Sequence, residues 1–187
     1  MPAPVLSIIT INRNNAAGLK LTLASIFAQS FRNFESIIID GASTDNSMKV
    51  VNSFGKKVRY KISERDNGIY DAMNKGIAKA RGKYCLFLNS GDFLFSKDTL
   101  KNTFSRDLHA EIIYFDVLID SGESKVLGKM PVVLYDSLFV EHEIWHQALI
   151  QRDLFERFGA YNTSYRLLGD YEFYLRTIVK HRVSTQY

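Results

Sequence analysis

The stretch Gly68–Asp92, GIYDAMNKGIAKARGKYCLFLNSGD, decides the fold. Over Ile69–Ala80 the apolar residues Ile69, Met73, Ile77 and Ala80 recur at helical spacing, and Gly82 supplies a stop. Tyr84–Leu88 then forms a short continuous apolar run, the pattern of a strand covered on both faces. That run ends abruptly in small polar residues and one acid, Asp92. A helix feeding a doubly covered strand is half of a βαβ unit, so the rest of the chain should show the other halves.

It does. Val5–Ile11 is β-branched and continuous, and Asn14 or Asn15 can cap a helix carrying Leu19, Leu23, Ile26 and Phe27. Phe34–Ile39 is a second strand ending at Asp40; Ser43, Thr44 and Asp45 offer caps for a helix with Met48, Val51 and Phe54. Val58–Ser63 is a third strand. The expected fold is α/β, a Rossmann-like three-layer α/β/α arrangement with a mostly parallel central sheet. Right-handed crossovers bring the carboxyl ends of such strands to one edge, where ligands bind. Asn12, Arg13, Asp40, Glu64, Asp66 and Asn89–Asp92 all fall there.

The second half is less regular. Glu111–Ile119 alternates as a strand, Ser121-Gly122 suggests a hairpin turn and Lys125–Leu127 its return. Gln147–Ile150 is a short strand, RDLFERFG a short helix stopped by Gly159, and Asp170–Lys180 a final helix.

The chain has 187 residues, one domain by length, with 46% hydrophobic and 24% charged residues, which argues against disorder. The net charge of +4 is scattered rather than gathered in a stripe, so nucleic acid is not an expected partner. Cys85 lies in an apolar run and reads as a buried structural thiol. The 4 histidines lack zinc-site spacing. Neither a signal peptide nor a membrane-length apolar run is apparent, so a cytoplasmic protein is expected, with peripheral contact at the inner face of the membrane left open.

Each polar candidate has two readings. Asp40 either accepts hydrogen bonds from a nucleoside or starts an Asx turn, and Asp45 reads as a helix cap. Asp71 and Asn74 share a helix face beside the strand ends, with Lys75 next to them; they either bind donor or belong to a solvated surface. Asp92 either holds a hard cation, which beside phosphates needs only one or two carboxylates, or closes a Ser-Gly-Asp turn. Asp170 either caps the last helix or takes a proton from an incoming hydroxyl, with His146 as a possible assistant; Glu172 points elsewhere. Trp145 and the tyrosines either stack on sugar rings or fill core.

The order of these motifs resembles family 2 glycosyltransferases, inverting enzymes of the GT-A fold that use nucleotide-diphosphate sugars. LSIITINRN looks like the family's first strand and nucleotide loop, with Arg13 where an aromatic residue is common; a guanidinium plane can also stack on a base. IIIDGASTDNS is similar to the Asp-Gly-Ser-x-Asp element, implying that Asp40 contacts the nucleoside. GIYDAMNKGIAKARGKYCLFLNSGD is similar to the helix and strand that precede the metal motif, and resembles enzymes building bacterial exopolysaccharide, capsule or lipopolysaccharide. GDYEFYLR resembles the element bearing the catalytic base, which falls on Asp170.

The resemblance covers about residues 5–180. It implies a nucleotide-sugar half (1–95) and an acceptor half (96–187), donor contacts from Asn12, Arg13, Asp40, Asp66, Asp71, Asn74 and Asn89, and Mg²⁺ or Mn²⁺ on Asp92. The implied acceptor is a saccharide or lipid-linked saccharide. Asn89-Ser90-Gly91 replaces the usual Asp-x-Asp, and the chain stops soon after Asp170, as a C-terminally truncated enzyme would. A nucleotide-sugar-binding module without transferase activity is the alternative. An unrelated dinucleotide-binding enzyme is disfavoured, because no Gly-x-Gly-x-x-Gly follows the first strand.

Overall fold

The computed structural model describes residues 3–129 and 147–187. Strands β1 (Leu6–Asn12), β2 (Phe34–Asp40), β3 (Tyr60–Ser63) and β4 (Tyr84–Phe87) alternate with helices α1 (Ala16–Phe27), α2 (Ser47–Ser53) and α3 (Ile69–Ile77). These are the elements expected from the sequence, with ends shifted by a few residues. After α4 (Thr99–Phe104) come β5 (Ile112–Ile113), β6 (Val117–Asp120), β7 (Lys125–Gly128), β8 (Leu149–Gln151), α5 (Asp153–Phe158), α6 (Gly169–Tyr174) and β9 (Thr185–Gln186). A π-helical turn over Leu175–Lys180 prolongs α6.

The main sheet has the order β3-β2-β1-β4-β8-β5-β9. β1 pairs parallel with β2 and β4, and β2 parallel with β3, whereas β8 runs antiparallel to both β4 and β5. Strand β1 shows why the apolar runs had to be continuous. Ile9 and Ile11 face a core layer containing Ile37, Ile39, Met73 and Phe87, while Leu6 and Ile8 face one containing Leu19, Leu23, Ile38 and Val51. Successive strand residues point to opposite faces, and both faces here are covered, so neither set can be polar.

Three expectations change. The strand expected over Glu111–Ile119 divides: β5 joins the main sheet, while β6 leaves it and pairs with β7 as a separate hairpin through the expected Ser121-Gly122 turn. Alternation specifies a pleat, and two short strands in different sheets satisfy it as well as one long strand.

The buried face of α3 is Tyr70, Ala72, Met73 and Gly76, and Ile69 stays exposed. A Cβ on Gly76 would lie 2.4 Å from Ile9 Cγ2, so the helix lies directly on β1 along its glycine, which turns Tyr70 rather than Ile69 inward. Gly82 is less a helix stop than a close approach, since a Cβ there would meet the Ser7 backbone nitrogen at 2.5 Å.

Candidate active site

The register aligns Asn12, Asp40 and Ser63 side by side at the carboxyl ends of β1, β2 and β3. Asp40 is fully buried and accepts four hydrogen bonds. Oδ1 takes Asn12 Nδ2 (2.7 Å) and Ser43 Oγ (2.6 Å), and Oδ2 takes the Ser43 backbone N–H (2.9 Å) and Ser63 Oγ (2.6 Å). A carboxylate has about four lone-pair positions, and the chain itself fills them. Burial raises the Asp40 pKa, but the bonds from Ser43, Ser63 and Asn12 together outweigh it and hold the carboxyl below its ordinary value. This differs from the direct nucleoside contact expected of Asp40: here the carboxylate organises its loop. Asn12 hydrogen-bonds through Nδ2 to Asp40 and Ser43, while its buried Oδ1 has no partner among the described residues.

The loops beyond the strands are laced together. Asn14, in the left-handed region at φ 49°, accepts the Thr44 N–H through Oδ1 and donates its own N–H to Ser43 Oγ. Asp45 accepts from the N–H groups of Ala16 and Ser47, close to the capping role read from the sequence. Asn15 caps α1 by accepting the Gly18 N–H, and its Nδ2 donates to the Ser90 carbonyl. That last bond spans β1 and β4, the switch point of strand order where a ligand crevice is expected.

Arg13 and Asp66 meet over Gly41. A Cβ on Gly41 would lie 2.5 Å from Asp66 Oδ2 and 3.4 Å from Arg13 Cδ, so only glycine lets both side chains settle on the β2 loop. Asp66 also accepts the Gly68 N–H. Asp71 accepts the Asn67 N–H at 2.9 Å and lies 3.6 Å from Lys75, which is 2.9 Å from Glu64. Its carboxylate thus holds the turn that opens α3.

After β4, Asp92 Oδ2 accepts the Asn89 N–H (3.2 Å) and Gln147 Nε2 (3.3 Å), and the Asp92 N–H returns to the Asn89 carbonyl (2.9 Å). No group of three or more His, Cys, Asp or Glu converges among the described residues. A hard cation can still be held by one carboxylate when phosphates and water complete its shell, and the oxygen chemistry of Asp92 fits that mode. A cavity of about 490 Å³ with apolar walls, including Leu86, Leu88, Phe93 and Phe115, opens beside Asp92 and Gln147.

Asp170 comes from the other half of the chain. It is the second residue of α6, while the N-cap is Leu168, left-handed at φ 61° and without a side-chain cap bond. The capping reading of Asp170 therefore does not hold. Its Oδ1 accepts the Tyr70 hydroxyl at 3.1 Å and its own neighbour's N–H, Tyr171, at 3.0 Å. A Cβ on Gly169 would lie 2.7 Å from the Tyr70 ring, so the start of α6 rests directly on that ring. Burial and then the Asp170 charge raise the Tyr70 pKa, which keeps the hydroxyl a donor.

Asn74, one turn further along α3, donates Nδ2 to the Tyr161 carbonyl (2.8 Å) and accepts the Tyr161 N–H (3.0 Å). Both ends of its amide fasten the chain before α6, a different role from the donor contact expected of it. Glu172 pairs with Arg176 at 2.9 Å, away from Asp170, as expected.

The fold therefore brings Asn12, Arg13, Asp40 and Asp66 together beyond β1–β3, sets Asn89 and Asp92 after β4, and docks Asp170 on α3. Sequence reasoning missed Tyr70, Ser63 and Gln147; it read Asn15 as a cap of the first helix, which it is, and Ser43 only as a cap candidate. Tyr70 had a signal, since it lies within the motif quoted first, and Ser43 lies within the Asp40 element; Ser63 had none beyond ending a strand. Trp145 and His146 lie outside the described residues. Cys85 is buried, and burial pushes its thiol up to about 12, so it is no nucleophile at neutral pH.

Residues 7–122 match Glycosyl transferase family 2. The chain belongs to that family. It is 34% identical over 194 residues to a PGL/p-HBAD biosynthesis glycosyltransferase of Mycobacterium bovis, a match covering 100% of this chain and 75% of the relative. Among solved structures it is similar to S. aureus TarS 1-349 in complex with UDP-GlcNAc (TM-score 0.75, 17% identity, 91% of this chain and 52% of that one). It is also similar to the mannosyltransferase PcManGT from Pyrobaculum calidifontis in complex with GDP-Man and Mn2+ (TM-score 0.75, 19% identity, 100% and 55%). The chain thus spans about half the length of these solved chains. The shared architecture is the GT-A fold, and the domain is of a transferase family, as the motifs implied. No helix of the described residues is long and apolar enough to cross a membrane.

Proposed function

We propose that this domain transfers a sugar, with inversion, from a nucleotide-diphosphate sugar to an acceptor hydroxyl in the synthesis of a bacterial cell-surface glycan, at the inner face of the cytoplasmic membrane. The observation that carries the reading is the docking of Asp170, distant in sequence, onto α3, the helix whose opening turn carries Asp66. Arg13 and Asp66 hold the nucleoside beyond β2, and the Asn12 amide offers its buried carbonyl oxygen to the same ligand. Asp40 acts behind them by fixing Asn12 and Ser43. Asn89 takes a ribose hydroxyl.

Asp92 holds Mg²⁺ or Mn²⁺ with the donor diphosphate; when bound, such an ion offsets the charge that builds on the departing nucleoside diphosphate. Asp170 removes the proton from the acceptor oxygen as it attacks the anomeric carbon from the side opposite the leaving group. General-base help of this kind contributes roughly 10²–10⁴-fold. Tyr165, Leu167 and Leu168, all exposed, immediately precede α6 and favour an acceptor with an apolar portion, such as a lipid-linked saccharide.

The test is a thermal-shift screen of UDP-glucose, UDP-GlcNAc and GDP-mannose with and without Mn²⁺, followed by nucleotide release from the donor that binds. A Mn²⁺-dependent shift lost in Asp92→Ala, and a release rate at least 100-fold lower in Asp170→Asn, are expected. Full release by Asp170→Asn would remove that residue from the chemistry. Binding without any release by the wild-type chain would favour a binding module.

A further inference from the structure

We infer that Tyr70 is a positioning residue that aims the Asp170 carboxylate at the acceptor, an inference resting on the base assignment above. Four observations converge on it. The Tyr70 hydroxyl donates to Asp170 Oδ1 at 3.1 Å, a side-chain bond between residues 100 apart in sequence. Gly169 has its missing Cβ where the Tyr70 ring lies, so ring and helix start fit only without a side chain between them. Tyr70 is 5% exposed, and its ring lies 5.6 Å from that of Tyr161, which Asn74 of the same helix fastens by two backbone bonds. Asp170 itself sits in the first turn of α6, which lacks a side-chain cap, so α6 gives its carboxylate one backbone bond, from Tyr171, and Tyr70 supplies the side-chain bond.

The geometry assigns each oxygen a task. Oδ1 is committed to Tyr70 and to the Tyr171 N–H, which fixes the carboxylate plane. Oδ2 is then the atom that takes the acceptor proton. A carboxylate that must find its angle anew at each turnover loses rate through orientation alone. Because α3 also begins at the Asp66 turn, one rigid element relates the nucleoside contact to the base.

The experiment is a double-variant cycle read by nucleotide release, with water as acceptor and the donor selected from UDP-glucose, UDP-GlcNAc and GDP-mannose by the thermal shift. Tyr70→Phe keeps the ring and is expected to lower kcat about tenfold, with the donor KM and the donor-induced thermal shift unchanged. In the Asp170→Asn background the same change should have no further effect, because Tyr70 acts only through Asp170. Gly169→Ala, whose Cβ displaces the ring, should reproduce the loss of kcat.

A full-rate Tyr70→Phe beside a slow Asp170→Asn overturns the Tyr70 role and leaves the base assignment standing. An equal loss in both backgrounds also overturns it, as does a loss confined to KM. Full rate in Asp170→Asn, or no release by the wild-type chain from any of the three donors, overturns the base assignment and this inference together.

Discussion

The two carboxylates that matter most here are held in opposite ways. Asp40 is enclosed and accepts bonds from Asn12, Ser43 and Ser63, all from the parallel-sheet half, and nothing is left to turn outward. Asp170 is half-buried and draws one side-chain donor, Tyr70, from the opposite half of the chain. The difference is the one expected if Asp40 serves as scaffold and Asp170 as the proposed base. A saturated carboxylate fixes loops, whereas a carboxylate held by one oxygen has the other to work with.

The largest way to sharpen that contrast is Asp40→Ala. It strips partners from Asn12, Ser43 and Ser63 at once, and each buried polar group left unpaired costs about 1–3 kcal/mol. A loss of roughly 3 kcal/mol or more in urea unfolding is expected, with Asp170→Ala costing far less. Comparable losses from the two would erase the distinction.

Asn74→Ala comes next. It leaves the Tyr161 N–H and carbonyl without their side-chain partner, so stability should fall by about 1–3 kcal/mol. Donor-induced thermal shifts should persist while nucleotide release drops, because the bond serves the Asp170 side. Loss of donor binding with normal release would return Asn74 to the donor site.

The pH dependence is smaller. The Asp40 pKa is depressed in the folded chain, so its stabilisation is fully present above the unfolded value of about 3.9 and is lost as pH falls through the lower folded value. Wild-type stability should therefore decline more steeply below about pH 4 than that of Asp40→Asn, as followed by urea midpoints.

The smallest effect is expected at Tyr161, whose buried hydroxyl has no partner among the described residues. Tyr161→Phe should change stability by less than about 1 kcal/mol or raise it, because the hydroxyl contributes no bond that the ring would miss. A clear destabilisation would mean that the hydroxyl meets a buried water.

Much of this could be read before any coordinates. Continuous apolar runs can be covered only on both faces, so Val5–Ile11, Phe34–Ile39 and Tyr84–Leu88 dictated a layered parallel sheet. The polar residues that end those runs had to gather at one edge, since parallel strands share a direction. Motif order then pointed to the family, which the match over residues 7–122 bears out.

What only the tertiary structure decided was which lone pairs the chain keeps for itself. Asp40 and Asn74 look like ligand contacts in sequence because Asp and Asn are ligand-type residues. Their bonds within the chain exist only because Ser43, Ser63 and the Tyr161 backbone arrive within hydrogen-bond distance. Tyr70 lay outside the face expected to be buried (Ile69, Met73, Ile77 and Ala80) until Gly76 turned the helix and α6 brought Asp170 to its hydroxyl. Local pattern fixes where a residue lies along its own element; its partner across the fold is set by how elements pack, which no short stretch of sequence contains.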